Sequence, residues 1–179
     1  NSFSDWTRAA VDLRPWSGKT IQIGFHFFSN CDLGGAGWFI DDVAIETGPY
    51  QFNNPESFET DLGDWAPDRG NWQIGTPQNG PGRALSGSQC AGVVLQGTYP
   101  GFVDSRLISP PLTVPETNQY PRMRFWHWFS IDGTSRCGQP GDFARVVVRE
   151  EGGSWVAASS QFNSFSDWTR AAVDLRPWS

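Results

Sequence analysis

Alternation of apolar and polar side chains is the clearest pattern in this sequence. In Lys19–Phe28 (KTIQIGFHFF), Ile21 and Ile23 begin an apolar series at every second position, with polar or small residues between. Met123–Ile131 alternates in the same way, but large residues such as Trp126 also fill its other positions. Because successive side chains of a β-strand point to opposite faces, both segments are predicted strands. Large side chains on both faces predict that the second is a central strand, covered on both sides.

Shorter strand signals recur along the rest of the chain. The sequence has 20 glycines and 13 prolines, which punctuate turns, and 10 tryptophans and 13 phenylalanines, which suit pleated surfaces. Roughly nine or ten short strands with turns between them predict an all-β fold, an antiparallel two-sheet jelly-roll sandwich. The further predicted strands are Trp38–Glu46, Phe58–Trp65, Trp72–Gly75, Cys90–Leu95, Ser105–Val114, Phe143–Glu150, Trp155–Phe162 and Trp168–Leu175.

A long internal repeat changes how the strands are grouped. Residues 1–17 (NSFSDWTRAAVDLRPWS) recur letter for letter at 163–179, so the period is 162 residues. This period is too long for a solenoid repeat and fits a whole domain, which predicts a unit repeated in tandem. The alternative is an artificial duplication of one end.

The repeat also sets the predicted domain boundaries. Thr47–Ser57 reads as a connector because Gly48, Pro49 and Pro55 break any strand ladder. We therefore predict that residues 1–47 are the C-terminal strands of one jelly-roll repeat and that 48–57 connect it to the next. Residues 58–179 then form the N-terminal and central strands of that next repeat, to be completed by the equivalent of 18–47.

Charge and hydropathy exclude several classes of partner. The formal net charge is −6, and nearly all basic residues are arginine. An acidic chain without Lys/Arg clusters argues against nucleic acid as a partner. No apolar run approaches the ~20 residues needed to cross a bilayer, so no membrane insertion is predicted.

Three cysteines per unit favour an extracellular setting, where disulfides persist. No C-x-x-C pair is present, which argues against a zinc site. Cys31 and Cys137 each lie in a long polar loop, and we prefer a bond between them, with Cys90 as the odd thiol. The alternatives are a bond from Cys90 to a loop of the next unit, or three unrelated buried thiols.

Several segments together resemble a known bacterial module. FETDLGDW (58–65), NWQIGTP (71–77), DSRLISPPL (104–112), MRFWHWFSID (123–132) and GAGWFIDDVAI (35–45) are the main ones. Taken in order from Phe58 and continued through 18–46, the unit is similar to MAM-like jelly-roll domains. Such domains occur in immune-inhibitor-A-type secreted metalloproteases and in surface repeat proteins. The resemblance implies a jelly roll used for binding or spacing, in a secreted or cell-surface protein, without catalysis.

The resemblance also implies a structural calcium ion. Related modules hold calcium where the first and last strands meet, and the matching acids are Glu59 with Asp41 or Asp42. Calcium binds six to eight oxygens, including backbone carbonyls, so two or three carboxylates suffice. The alternative is that these aspartates are hydrogen-bonded or solvated acids without a metal.

No residues combine into a predicted active site, so we expect no enzyme activity. Neither an H-E-x-x-H nor a G-x-S-x-G motif is present. His26 and His127 stand alone on apolar segments and read as packed residues. Trp72 and Trp155 lie near turns, where exposed rings can stack on sugars, although core packing is the commoner role of such residues.

Two functions follow. The lead hypothesis is a structural tandem-repeat subunit of an extracellular bacterial filament, fibre or surface stalk, in which neighbouring copies make head-to-tail contacts. The alternative is a carbohydrate- or protein-binding module of a secreted adhesin or protease, with surface glycans as partners and repetition providing avidity.

Overall fold

The computed structural model describes residues 13–26, 40, 43, 45, 47–48, 52–69, 72–135 and 140–179. These residues fall into two compact units, one within 10–50 and the other from 51 onwards. The predicted domain boundaries at 47 and 58 stay predictions. Predictions that fall on Cys31, Asp41, Asp42 and Cys137 lie outside the described residues.

The larger unit consists of antiparallel strand pairs. Its strands are β1 (Ala66–Asp68), β2 (Gln73–Gly75), β3 (Cys90–Gly92), β4 (Arg106–Ile108), β5 (Arg122–Ile131), β6 (Val147–Val148), β7 (Val156–Ala157) and β8 (Ser164–Asp174).

The strand pairing is nested. β1 pairs with β4 around the β2–β3 pair, and β5 pairs with β8 around the β6–β7 pair. Every ladder is antiparallel, and the helical structure among the described residues is confined to short 3-10 turns. The predicted all-β antiparallel class is thus confirmed and agrees with a sandwich. Tandem repetition stays a prediction.

The β5–β8 ladder is the longest described element. It runs from the Arg122–Asp174 pair to the Ile131–Ser164 pair, with a bulge between His127 and Phe129. Two β8 residues oppose one β5 residue at the bulge, which bends the strand. β5 was predicted almost to the residue, whereas β8 starts earlier than predicted because Ser164 and Phe165 already pair with β5.

Three strand predictions were wrong in detail. Phe58–Trp65 forms no strand, because Phe58 has a φ of 56° and a turn at Gly63 brings the Trp65 N–H to the Leu62 carbonyl at 2.9 Å. The ladder begins only after that turn, at β1. In Ser105–Val114 the strand ends before Pro110 and Pro111, which cannot donate to a ladder. The described part of Lys19–Phe28 also forms no strand.

The smaller unit is described only in part. A 3-10 turn spans Arg14–Trp16, with the Trp16 N–H on the Leu13 carbonyl at 2.9 Å, and Lys19 then donates to the Trp16 carbonyl at 3.0 Å. The next residues have the predicted alternation but join no ladder, and Ile21 and Ile23 are 40% and 53% exposed. Alternation without a hydrogen-bonding partner does not make a strand.

Few side chains are buried. Among the described residues, the buried hydrophobic side chains are Leu62, Ala84 and Val173. The main apolar contact is on one face of β5, where Phe125, His127 and Phe129 pack against Phe162.

Candidate functional site

The two faces of the β5–β8 ladder differ in chemistry. Side chains of β5 alternate between half-buried and exposed from Arg122 to His127. The exposed positions pair across the ladder with exposed positions of β8. We call this surface the arginine face; it comprises Arg122, Arg124, Trp126, Arg170, Ala172 and Asp174. Trp126, at the centre of the arginine face, is 50% exposed. The prediction that both faces of β5 are covered is therefore wrong for this surface.

The arginine face carries positive charge without a matching carboxylate. Arg122 and then Arg170 lower the pKa of Arg124 by charge repulsion, with a smaller contribution from burial. Arg122 donates to the Tyr120 carbonyl at 3.0 Å rather than to an acid. Within the described residues no ion pair involves Arg124 or Arg170. The face therefore offers guanidinium donors to an anion from outside.

Asp174, the one acid on this face, is already paired. Its carboxylate accepts from Arg176 Nη2 at 2.6 Å and from Nε at 2.9 Å. The Arg176 side chain, followed by its backbone N–H, lowers the pKa of Asp174 to about 2. The acid thus stays ionised but is turned toward the 3-10 turn at Arg176–Trp178 and leaves Arg122 and Arg124 unpaired with it.

The opposite face of β5 is apolar and holds a histidine. The rings of His127 and Phe162 meet edge-on with centroids 4.6 Å apart, and Phe125 and Phe129 flank the imidazole. Burial lowers the pKa of His127, because the charged imidazolium loses its hydration there. His127 is a packed residue, as predicted.

Glu59, the described member of the predicted metal site, clamps a loop. Its carboxylate accepts from Ser88 N at 2.9 Å, Ser88 Oγ at 3.1 Å and Gln89 N at 3.2 Å. The two backbone donors lower the pKa of Glu59. Gly87 has a φ of 62°, and a Cβ there would lie 2.3 Å from the carboxylate, so only glycine allows this approach.

These contacts leave Glu59 little capacity for a metal. A carboxylate has roughly four lone-pair positions, and three are used. No group of three His, Cys, Asp or Glu side chains arranged for a metal ion occurs in the described part of the chain. The calcium site with Asp41 and Asp42 stays a prediction.

The two tryptophans predicted for sugar stacking, Trp72 and Trp155, are both half-buried, and arginines cover the ring of Trp155. The guanidinium carbons of Arg149 and Arg106 lie 4.5 and 5.6 Å from the centroid of the Trp155 ring. Arg106 is also ion-paired with Asp68 at 2.7 Å. The indole nitrogen of Trp72 is buried without a hydrogen-bond partner. Sugar stacking at either residue stays a prediction, and the more open ring is that of Trp126.

Cys90 lies in β3 as a free, half-buried thiol. Burial, and secondarily the charge of Glu59, raises the pKa of the Cys90 thiol and so disfavours the thiolate. The role of Cys90 as the odd thiol, its alternative bond to the next unit and the Cys31–Cys137 bond all stay predictions.

An open depression lies at the end of the ladder. Its volume is about 440 Å³, and its lining includes Asp132, Gly133, Thr134 and Asn163. Asp132 is the ionisable residue among its described lining residues, and the carboxylate accepts the Thr134 N–H at 3.0 Å. Among the described residues of this lining, no nucleophile–base pair is present.

Sequence reasoning missed the arginine face. Arg124 and Trp126 were recognised as the second face of β5, and Arg170 as part of the repeat. Their meeting depends on the register that pairs Trp126 with Arg170 across 44 residues of chain. The available signal was an Arg-x-Arg-x-Trp alternation at 122–126 on an acidic protein.

Comparison with known proteins gives one informative similarity. The chain is 30% identical over 124 residues to bacillopeptidase F of Bacillus subtilis (strain 168). The match covers 67% of this chain but spans only 8% of that protein's length. No family model and no solved structure matches the chain. None of the described helical segments has the length and apolarity to cross a membrane.

Proposed function

We propose that this chain is a non-catalytic, extracellular β-sandwich module of a larger secreted protein, and that it binds a partner through the arginine face. The observation that carries the proposal is an exposed sheet surface with Trp126 at its centre and unpaired arginines around it. Such a surface suits recognition of an extended ligand, because its groups stand along a ladder rather than around a cleft.

The similarity to bacillopeptidase F supports a modular role. A segment that matches 8% of a much larger protein named as a peptidase is the size of one accessory domain. The MAM-like resemblance of the sequence leads to the same proposal, in which chemistry resides elsewhere in the protein and this module supplies attachment or spacing.

Retention on immobilised polymers tests the proposal. We expect the chain to be retained on at least one polysaccharide or unfolded-protein column, and to cleave neither polymer. Arg124→Gln with Arg170→Gln should reduce retention at least tenfold, while Arg83→Gln, which removes one arginine outside the ladder, should not. Retention on none of the columns, or equal retention of both variants, would contradict the proposal.

A second candidate function is a structural tandem array, and the repeated sequence favours it. The segment RPW forms a 3-10 turn at Arg14–Trp16 and again at Arg176–Trp178. Each turn is closed by a Trp N–H on the preceding Leu carbonyl, at 2.9 and 3.0 Å. In an array, the second turn would be followed by a copy of Lys19–Phe28. That copy would lie next to β8, because consecutive strands joined by short turns are usually neighbours.

A chain carrying two consecutive 162-residue units tests the array. It contains the Lys19–Phe28 sequence twice, once near its start and once after an internal copy of β8. We expect amide protection against hydrogen exchange in the internal copy and none in the first. Equal exchange of both copies, together with a flexible string of separated beads in electron micrographs, would contradict the structural candidate.

A further inference from the structure

The arginine face has the chemistry of an anion site on a protein of the opposite charge. The chain has a net charge of −6, yet Arg122, Arg124 and Arg170 converge on one sheet surface. Their mutual repulsion lowers the pKa of Arg124. Repulsion of this kind disfavours the free state and is relieved when a negative group binds between the arginines.

The groups are spaced along the surface in a regular way. Same-face residues of one strand are about 7 Å apart, so Arg122, Arg124 and Trp126 form a row. Arg170 stands directly opposite Trp126, about 5 Å across the ladder. A guanidinium forms paired hydrogen bonds to a carboxylate, and an indole ring offers a flat apolar surface beside them.

We propose that the arginine face binds a carboxylate-bearing polysaccharide, with Arg122, Arg124 and Arg170 on its carboxylates and Trp126 stacked on a sugar ring. The inference rests on the proposed binding function and names its ligand class. A sugar ring with an equatorial carboxylate presents an apolar face and a charged edge together, which matches an exposed indole flanked by guanidiniums. A nucleic acid fits less well, because its dense phosphates would meet the acidic remainder of the protein.

Calorimetry or affinity electrophoresis with defined polymers tests the ligand class. We use polygalacturonate, its fully methyl-esterified form, a sulfated polysaccharide and poly-glutamate with the intact chain. We expect polygalacturonate to bind at least tenfold more tightly than the methyl ester or poly-glutamate, with affinity falling as salt rises. Binding of the methyl ester or poly-glutamate as tight as that of polygalacturonate overturns the inference, as does tighter binding of the sulfated polymer.

Variants locate the site. Arg124→Gln with Arg170→Gln should weaken polygalacturonate binding at least tenfold, and Trp126→Ala about fivefold. Arg83→Gln, which removes one arginine outside the ladder, is the control and should change affinity less than twofold. Only variants whose Tm and circular dichroism spectrum match those of the unsubstituted protein enter the comparison. If Arg83→Gln weakens binding as much as the double variant, the charge acts from the whole surface and the site assignment fails.

The outcomes also separate this inference from the proposed function. Binding of a neutral polysaccharide or of a protein, lost in the Arg124/Arg170 variant, retains the proposed function and rejects the carboxylate ligand. Binding of none of the polymers, with no retention on any column, rejects both.

Discussion

Two segments of this protein share one sequence pattern and differ in structure. Arg122–Ile131 forms a ten-residue strand, whereas the described residues of Lys19–Phe28 carry the same alternation and form none. The first has β8 along its edge and Phe162 against its apolar face. In the second, Ile21 and Ile23 are 40% and 53% exposed. Alternation therefore specifies which side chains share a face, and a partner strand decides whether a strand forms.

Removing an apolar side chain from each segment should give the largest contrast. Phe125→Ala takes a half-buried ring from the aromatic contact with Phe162, and we expect it to lower the free energy of unfolding by about 2–3 kcal/mol. Ile23→Ala removes an exposed side chain and should cost less than about 0.5 kcal/mol. Urea denaturation measures both. Similar losses in the two variants would mean that the second segment is also packed.

Two glycine substitutions, one beside β5 and one in Lys19–Phe28, compare how tightly the backbone of the two segments is packed. Gly80 has a φ of 67°, and a Cβ there would lie 2.7 Å from the Trp128 ring of β5. Gly80→Ala should therefore cost about 1–3 kcal/mol, from backbone strain and displacement of that ring. A Cβ at Gly24 meets nothing within 4 Å, so Gly24→Ala should be neutral or slightly stabilising in the same urea experiment. Equal destabilisation by both would contradict the contrast.

Acid should weaken the paired ladder selectively. Arg176 lowers the pKa of Asp174, at the end of β8, from 3.8 to about 2. A carboxyl whose folded pKa is depressed stabilises the fold above its unfolded pKa and loses that contribution as the pH falls through the folded pKa. The Tm should thus fall between pH 4 and pH 2, and Asp174→Asn should flatten this dependence. Glu151→Gln, in the β6–β7 turn, is the control, and the same flattening there would count against the Asp174–Arg176 pair.

The smallest effect is expected from calcium removal. The hydrogen bonds from Ser88 and Gln89 to Glu59 predict that a chelator leaves the Tm unchanged, while Glu59→Gln lowers it by a few degrees. A calcium ion held by Glu59, Asp41 and Asp42 predicts instead a clear loss of Tm on chelation, and Glu59→Gln should then lower the Tm and abolish the effect of the chelator. Thermal melts of both proteins with and without chelator distinguish a loop held by its own donors from one held by an ion.

Sequence patterns predicted the fold class and the ladder better than the site. The alternation in Met123–Ile131 located β5, and the apolar residues of the repeat located most of β8. The start of β1 was missed because a glycine turn at Gly63 replaces the strand that Phe58–Trp65 resembles. The arginine face was missed because it requires the β5–β8 register and the commitment of Asp174 to Arg176. The register is a tertiary fact, whereas the Asp174–Arg176 pair is a local contact two residues apart, and alternation encodes neither.

The nested pairing of the strands predicts the order in which the residue pairs of the β5–β8 ladder form during folding. Ile131 and Ser164 are its closest pair along the chain, and Arg122 and Asp174 its most distant. The cost in chain entropy of joining two residues rises with the loop between them, and the β6–β7 pair already draws the inner loop together. Zippering should therefore begin at Ile131, cross the bulge and reach Arg122 last. The Arg122–Asp174 end of the ladder, which bears the exposed arginines, should then also be the first to fray. A polymer bound across both strands there would hold them paired.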